Sequence, residues 1–405
     1  MKERQIASSD RRVGGRAEKQ TILVIAKYYE PGRKAGGQLK ALINLVRELS
    51  DRYDFRVLAS DRDLGERRPY RGVPAGSWIQ GSHGQVRYMK SGFGALSELK
   101  AVMADAAHSI IYLNSFFSPL FSLAPMILRR ALKDRRPVVI APRGEFSPGA
   151  LERKRRRKRV LAWAADLSGL YRDVTWQATG PLEAEQIALN LPRSGKRIIT
   201  AMEVPDPASD RPFDAASRTR VGERLKVIFL SRLAPVKNLE FALKVLAGLE
   251  LDVDFEVAGG VENRAYWKRC ERLMRQLPPN VRTLVRGHVD PSAVPGLLAR
   301  SDLLFLPTKG ENFGYVIRES LMAGTPVLIS DRTPWPDSPG FACRALPLSR
   351  PEAFAESIVA YASLDAGRRS EARTRARALA ESFANPVRCR EQSVALFDAA
   401  SGGGA

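Results

Sequence analysis

Short runs rich in β-branched residues alternate with helix-patterned segments along almost the whole 405-residue chain. Strand candidates in the first half are residues 21–26, 55–59, 110–113, 138–141 and 198–203; in the second half they are 226–230, 255–257, 302–306 and 327–329. Between them lie sets such as Leu239, Ala242, Leu243, Leu246 and Leu249, which share one face of a helix. Such alternation predicts parallel sheets covered by helices on both sides. The length suits two domains of about 180–200 residues, each able to bury its own core. A polar, proline-rich stretch at 204–220 marks the boundary, because the pattern restarts with the strand after it. The expectation is two doubly wound α/β Rossmann-like domains facing across a cleft. The divisions are a disordered basic N-terminus at 1–19, a first domain at 20–204, a linker at 205–222, a second domain at 223–385, and a C-terminal helix with a flexible tail at 386–405. Helices after residue 350 are expected to continue the second domain.

Residues 109–128 carry no charge, but Asn114, Pro119, Pro125 and four serines interrupt them. They are expected as a buried strand, a loop and a helix from Pro119 rather than a membrane span. The polar start at 1–19 lacks the apolar core of a signal peptide. Three scattered cysteines, Cys270, Cys343 and Cys389, have no zinc-site spacing and suit a reducing cytoplasm.

Chemistry concentrates in residues 307–327, where Glu311 and Glu319 flank Asn312, Phe313 and Gly314. A glycine turn entering a helix leaves backbone N–H groups free for an anion. Carboxylates bind hydroxyls rather than phosphate, so the block suits a ligand that carries both. Arg232 and Lys237 follow the first strand of the second half, on the edge where open α/β sheets bind ligands. Together they match a diphosphate. Gly36 and Gly37 stand between the first strand and its helix, where bare backbone permits close approach to a ligand.

The order Gly36-Gly37, then Arg232 and Lys237, then Glu311 and Glu319 resembles the retaining glycosyltransferases of the group-1 family, also called family 4. The likeness runs from about residue 22 to at least 331 and is strongest in residues 229–233, 257–260 and 311–319. It implies the two-domain GT-B fold, with the donor in the second domain and the acceptor and membrane on the side of the first. Arg232 and Lys237 would hold the diphosphate of a nucleotide-sugar donor. Glu311 would contact the transferred sugar, with the amides of Asn312, Phe313 and Gly314 facing sugar and phosphate. Glu319 would grip the ribose, and Gly36 and Gly37 would close over the phosphates. Catalysis would then fall to Arg232, Lys237 and Glu311, without a metal or other cofactor. Members of the family often place a histidine after the strand at 138–141; here Arg143 and Glu145 stand there and become candidates for the sugar or acceptor site.

The formal charge is +21, from 65 Lys and Arg against 44 Asp and Glu. Residues 1–205 hold 37 of the basic and 20 of the acidic residues, a surplus of 17 that concentrates the charge in the first half. Arg153, Lys154, Arg155, Arg156, Arg157, Lys158 and Arg159 form an unbroken run, followed by Trp163. The run is expected to hold the first domain to an anionic membrane surface, on the cytoplasmic face of the cell membrane. Nucleic acid is the weaker partner, because no base-stacking aromatics interleave the cations. The function expected is sugar transfer to a lipid-linked saccharide in bacterial polysaccharide biosynthesis. The alternatives are a related sugar-nucleotide epimerase, or a non-catalytic basic binder of membrane or nucleic acid.

Overall fold

A computed structural model describes residues 19–92, 94–152, 155–206 and 224–402. The proposed linker at 205–222 lies largely outside these residues, as does nearly all of the basic N-terminus. Two sheets form two α/β domains. In the first, strands β1 (Thr21–Ile25), β2 (Asp54–Ser60), β3 (Trp78–Gln80), β4 (Gln85–Met89), β5 (Ile110–Leu113), β6 (Val138–Ile140), β7 (Val174–Ala178) and β8 (Ile198–Thr200) run in the order β3-β4-β2-β1-β5-β6-β7-β8. Only the β3–β4 pairing is antiparallel. In the second, β9 (Leu225–Leu230), β10 (Val253–Ala258), β11 (Val281–Gly287), β12 (Leu303–Leu306), β13 (Val327–Ser330) and β14 (Cys343–Leu346) lie in the order β11-β10-β9-β12-β13-β14, all parallel.

The central strands are apolar on both faces, as a sheet sandwiched by helices requires. β1, β5 and β12 are buried almost throughout. Each sheet therefore brings the carboxyl ends of its strands to one edge, where the connecting loops gather. Residues 109–128 adopt the expected strand, loop and helical turn, the last capped by the Ser118 side chain. No helix among the described residues is long and apolar enough to cross a membrane.

One expectation is corrected. The helices Pro351–Ala362 and Ala366–Phe383 continue the second domain, through Phe354, Ile358, Ala372 and Ala376. The last helix, Pro386–Ala400, instead returns to the first domain and buries Cys389, Leu396, Phe397 and Ala400 beside Leu42, Tyr53 and Tyr112. Asn385 caps its start, and the proline that follows stops the preceding helix and lets the chain cross over.

Candidate active site

The site is assembled by loops at the carboxyl ends of β9 and β12. Past β9, Arg232 is half-exposed and paired with Glu262. A short turn at Pro235–Lys237 then ends in Asn238 at φ 63°, which starts the next helix. The chain after β12 is stitched to that turn: the Lys309 amide and the Thr308 hydroxyl both donate to the Val236 carbonyl, at 2.7 and 3.0 Å. This stitch brings Lys237 and Glu311, 74 positions apart, into a largely buried ion pair.

Beyond Glu311 the loop is held from below, where the Trp335 indole donates to the Phe313 carbonyl at 2.6 Å. Gly314 turns at φ 80° into the helix Tyr315–Met322. A Cβ there would lie 2.8 Å from Ile317 and 3.1 Å from Glu311, so only glycine fits. The amides of Asn312, Phe313 and Gly314 donate to no group among the described residues. They remain available at a helix start, where the helix dipole favours negative charge. Glu319, on that helix, is paired with Lys40 of the first domain.

From the opposite side, Gly36 adopts φ 66° at the head of the helix Gly37–Leu49. The position of a Cβ on it lies 3.4 Å from the Arg232 guanidinium, and one on Gly37 would lie 3.5 Å from the Tyr315 ring. Gly36, Gly37, Arg232, Lys237, Glu311, Asn312, Phe313, Gly314 and Glu319 thus border one cleft between the domains.

The side chain of Asn312 has a role that its position in the sequence does not reveal. Its amide donates to the Thr179 hydroxyl at 2.7 Å and to Glu203 at 2.9 Å, both in the first domain. Glu203 is buried, and its carboxyl is pushed up by that burial, while Arg143 at 3.2 Å opposes the shift. Arg143 is likewise buried, donating to Asn114 at 2.9 Å and to the Tyr112 hydroxyl at 2.6 Å. It therefore supports the interdomain contact from beneath instead of lining a sugar site. Glu145 departs from expectation too. It accepts from the Phe116 and Phe117 amides at 2.6 and 3.0 Å and from the Ser115 hydroxyl at 2.9 Å. All of these bonds tie down the loop after β5.

Of the basic run, Arg153 and Lys154 lie outside the described residues, and Arg155 opens the helix Arg155–Leu167. Arg156, Arg157 and Arg159 are exposed. Lys158 turns inward, donating to the Ala150 carbonyl at 2.7 Å and lying over the Phe117 ring.

Residues 210–339 match the family described as Glycosyl transferases group 1. The second domain belongs to the group-1 glycosyltransferases. A D-inositol 3-phosphate glycosyltransferase of Xylanimonas cellulosilytica is 30% identical over 125 residues, 29% of this chain and 30% of that protein. A GDP-mannose-dependent alpha-(1-6)-phosphatidylinositol dimannoside mannosyltransferase of Mycobacterium tuberculosis is 30% identical over 138 residues, 33% of this chain and 35% of the relative. The match thus spans about a third of the length of these curated relatives. Solved structures resemble the whole fold. HepE of Anabaena in complex with UDP-glucose has a TM-score of 0.69 at 18% identity, covering 94% of this chain and 99% of that one. A sucrose-phosphate synthase from Thermosynechococcus elongatus has a TM-score of 0.75 at 16% identity, covering 95% and 100%. The two-domain architecture is the GT-B fold.

Proposed function

We propose that the protein transfers a sugar from a nucleotide-diphosphate donor to a lipid-linked saccharide, with retention, in bacterial polysaccharide biosynthesis. The observation that carries this reading is the meeting of Arg232, the Lys237–Glu311 pair and three unengaged amides at one cleft, with Glu319 two helical turns beyond. The cations and amides suit a diphosphate, and the two carboxylates suit hydroxyls at either end of it. In the step proposed, the acceptor oxygen bonds to the anomeric carbon on the face that the nucleotide leaves. The anomeric C–O bond breaks, its electron pair goes to the diphosphate, and the diphosphate takes the acceptor proton. Arg232 and Lys237 stabilise the charge that develops, and no protein nucleophile or metal takes part.

The helix Arg155–Leu167 supplies the membrane contact in this reading. Val160, Trp163 and Leu167 are 62, 63 and 45% exposed, at the spacing of one helical face. Arg156 continues that stripe, and Arg157 and Arg159 flank it. An apolar ridge among cations that form no ion pair among the described residues is complementary to an anionic bilayer. The preceding helix, Pro148–Glu152, abuts the Lys309 backbone, so this face adjoins the cleft. A lipid-linked acceptor would then be presented close to the donor.

The test is a panel of nucleotide-sugars scored by thermal stabilisation and turnover, with and without EDTA. One donor at a hundredfold excess over its Kd should add about 2.7 kcal/mol of stability. Its turnover should survive EDTA and fall at least a hundredfold in Glu311→Ala. Wild-type turnover in that variant would remove the site assignment.

A further inference from the structure

Among the described residues, a second cavity of about 380 Å³ opens in the first domain, apart from the residues assigned to the donor. Its walls come from the loops after β1, β2, β4 and β5: Lys27 and Tyr28, Ser60 to Glu66, Met89 to Ser91, and Ser118 to Phe121. All four loops lie at carboxyl ends of parallel strands. Helices and connections leave β1 and β5 in opposite directions across the sheet, because the order runs β4-β2-β1 to one side and β5-β6-β7 to the other. The cavity therefore reaches the topological switch point between β1 and β5, where open α/β sheets take their ligands, and extends from it along the ends of β2 and β4.

The chemistry of the walls is selective. Asp63 accepts from the backbone amides of Arg33, Lys34 and Leu64, and Glu66 is paired with Lys34. Arg62 is paired with Asp61. Lys27 and Lys90 are exposed and form no ion pair among the described residues, so their charge is the uncompensated part of the lining. Pro119, Leu120 and Phe121 give the lining an apolar stretch. Two ammonium groups without an ion pair among the described residues, Lys27 lying 5.2 Å over the Tyr28 ring, share the lining with an apolar stretch and suit a phosphate or diphosphate attached to a hydrocarbon chain.

We propose that this cavity binds the diphosphate end of a lipid-linked acceptor, with Lys27 and Lys90 on the phosphates and Leu120 and Phe121 along the first part of the lipid. This deepens, and rests on, the lipid-linked acceptor proposed above. The loop that begins at Lys27 continues to Gly36, and Asp63 ties its middle to the cavity wall through the Arg33 and Lys34 amides. The acceptor cavity and the donor cleft thereby share one loop, which fits an acceptor whose sugar extends toward Gly36.

Geranyl diphosphate is a soluble probe for this chemistry, titrated calorimetrically into the full chain. The double substitution Lys27→Ala/Lys90→Ala should weaken its binding at least tenfold, whereas Arg232→Ala/Lys237→Ala should leave it within about twofold. Inorganic pyrophosphate and geraniol should each bind the Arg232→Ala/Lys237→Ala protein at least tenfold more weakly than geranyl diphosphate. Equal affinity for inorganic pyrophosphate would overturn the lipid assignment. Binding lost only in Arg232→Ala/Lys237→Ala, or absent from the wild type, would overturn the cavity as a site. Nucleotide-sugar binding is measured in parallel. Its failure with geranyl diphosphate binding intact would sink the donor reading and leave the cavity standing as a lipid-diphosphate site.

Discussion

Each charged group assigned to the donor is neutralised by a protein partner: Arg232 by Glu262, Lys237 by Glu311 and Glu319 by Lys40. A donor must therefore exchange these pairs for its own contacts; Arg232–Glu262 is the most exposed and cheapest to give up, and the partly exposed Lys40–Glu319 pair is the next. Such pairs contribute up to about 1 kcal/mol. If Glu319 grips the ribose, Lys40→Gln frees it and should tighten binding of the donor found in the nucleotide-sugar panel by up to roughly fivefold in calorimetry. Unchanged or weaker binding would show that Lys40 does not compete for Glu319. A second residue-scale consequence concerns His108, which is buried with Nδ1 donating to the Asp105 carbonyl at 3.2 Å and Nε2 without a partner among the described residues. Burial pushes its pKa below the ordinary 6.5. The folded state holds the neutral ring while the unfolded chain takes a proton, so stability is lost as pH falls from about 6.5 toward the depressed value. The slope is at most about 1.4 kcal/mol per pH unit. His108→Asn should flatten the acid limb of a Tm-against-pH curve, and parallel limbs would disprove the contribution. At this scale the sequence displayed Arg232, Lys237, Glu311 and Glu319 through residue type and spacing. It did not display Lys40, Glu203 or Thr179, whose partners lie 279, 109 and 133 positions away. Glu145 misled for the same reason: a carboxylate past a strand end looks free until the folded loop supplies three donors.

Among the elements, the buried central strands were legible because apolar runs on both faces leave no other reading. The strands missed are those with mixed composition. β7 hides Thr175 and Gln177 inside the domain, and Gln177 is tolerated there because it accepts from Tyr112 at 2.7 Å and donates to the Ala201 carbonyl at 2.9 Å. β11 lies at the sheet edge and is exposed along most of its length, so it carries arginines that weaken any strand pattern. The basic run shows the converse. Its composition announced a surface, and the helix Arg155–Leu167 then sorts it: Lys158 goes inward, and the exposed face combines Arg156, Arg157 and Arg159 with Val160, Trp163 and Leu167. If that face meets a bilayer, the protein should sediment with phosphatidylglycerol vesicles but not with phosphatidylcholine vesicles. Burial of the three apolar side chains should contribute a few kcal/mol, since each fully buried chain is worth about 1.5–3 kcal/mol. Trp163→Ala/Leu167→Ala should therefore cut vesicle binding at least tenfold, with an unchanged melting temperature because both residues are exposed. Equal sedimentation of the double variant would assign the attraction to charge alone.

Across the whole molecule, the last helix ties the end of the chain to the domain in which it began. Phe397 is fully buried, with its ring 5.4 Å from Tyr53 and 5.7 Å from Tyr112. Gln392 accepts from the Met202 amide at 3.0 Å, and Asp398 accepts from the Tyr53 hydroxyl at 3.0 Å and from Arg52. The first domain is therefore completed only after the second has been made, and the two are joined at the crossing near residue 204 and again near residue 385. Several contacts cross between the domains, among them Lys40 to Glu319, Asn312 to Glu203 and Thr179, the Tyr315 hydroxyl to the Val204 carbonyl at 3.3 Å, and Gly149 against Lys309. Phe397→Ala removes a ring from the first core and should cost about 3–5 kcal/mol. The loss should be confined to one domain, because Phe397 touches the first core and not the second. Hydrogen exchange should then quicken in β1, β2 and β5 while β9, β12 and β13 keep wild-type protection. Uniform loss of protection in both sheets would mean that the domains unfold as one cooperative unit, with the last helix bracing the pair rather than completing the first.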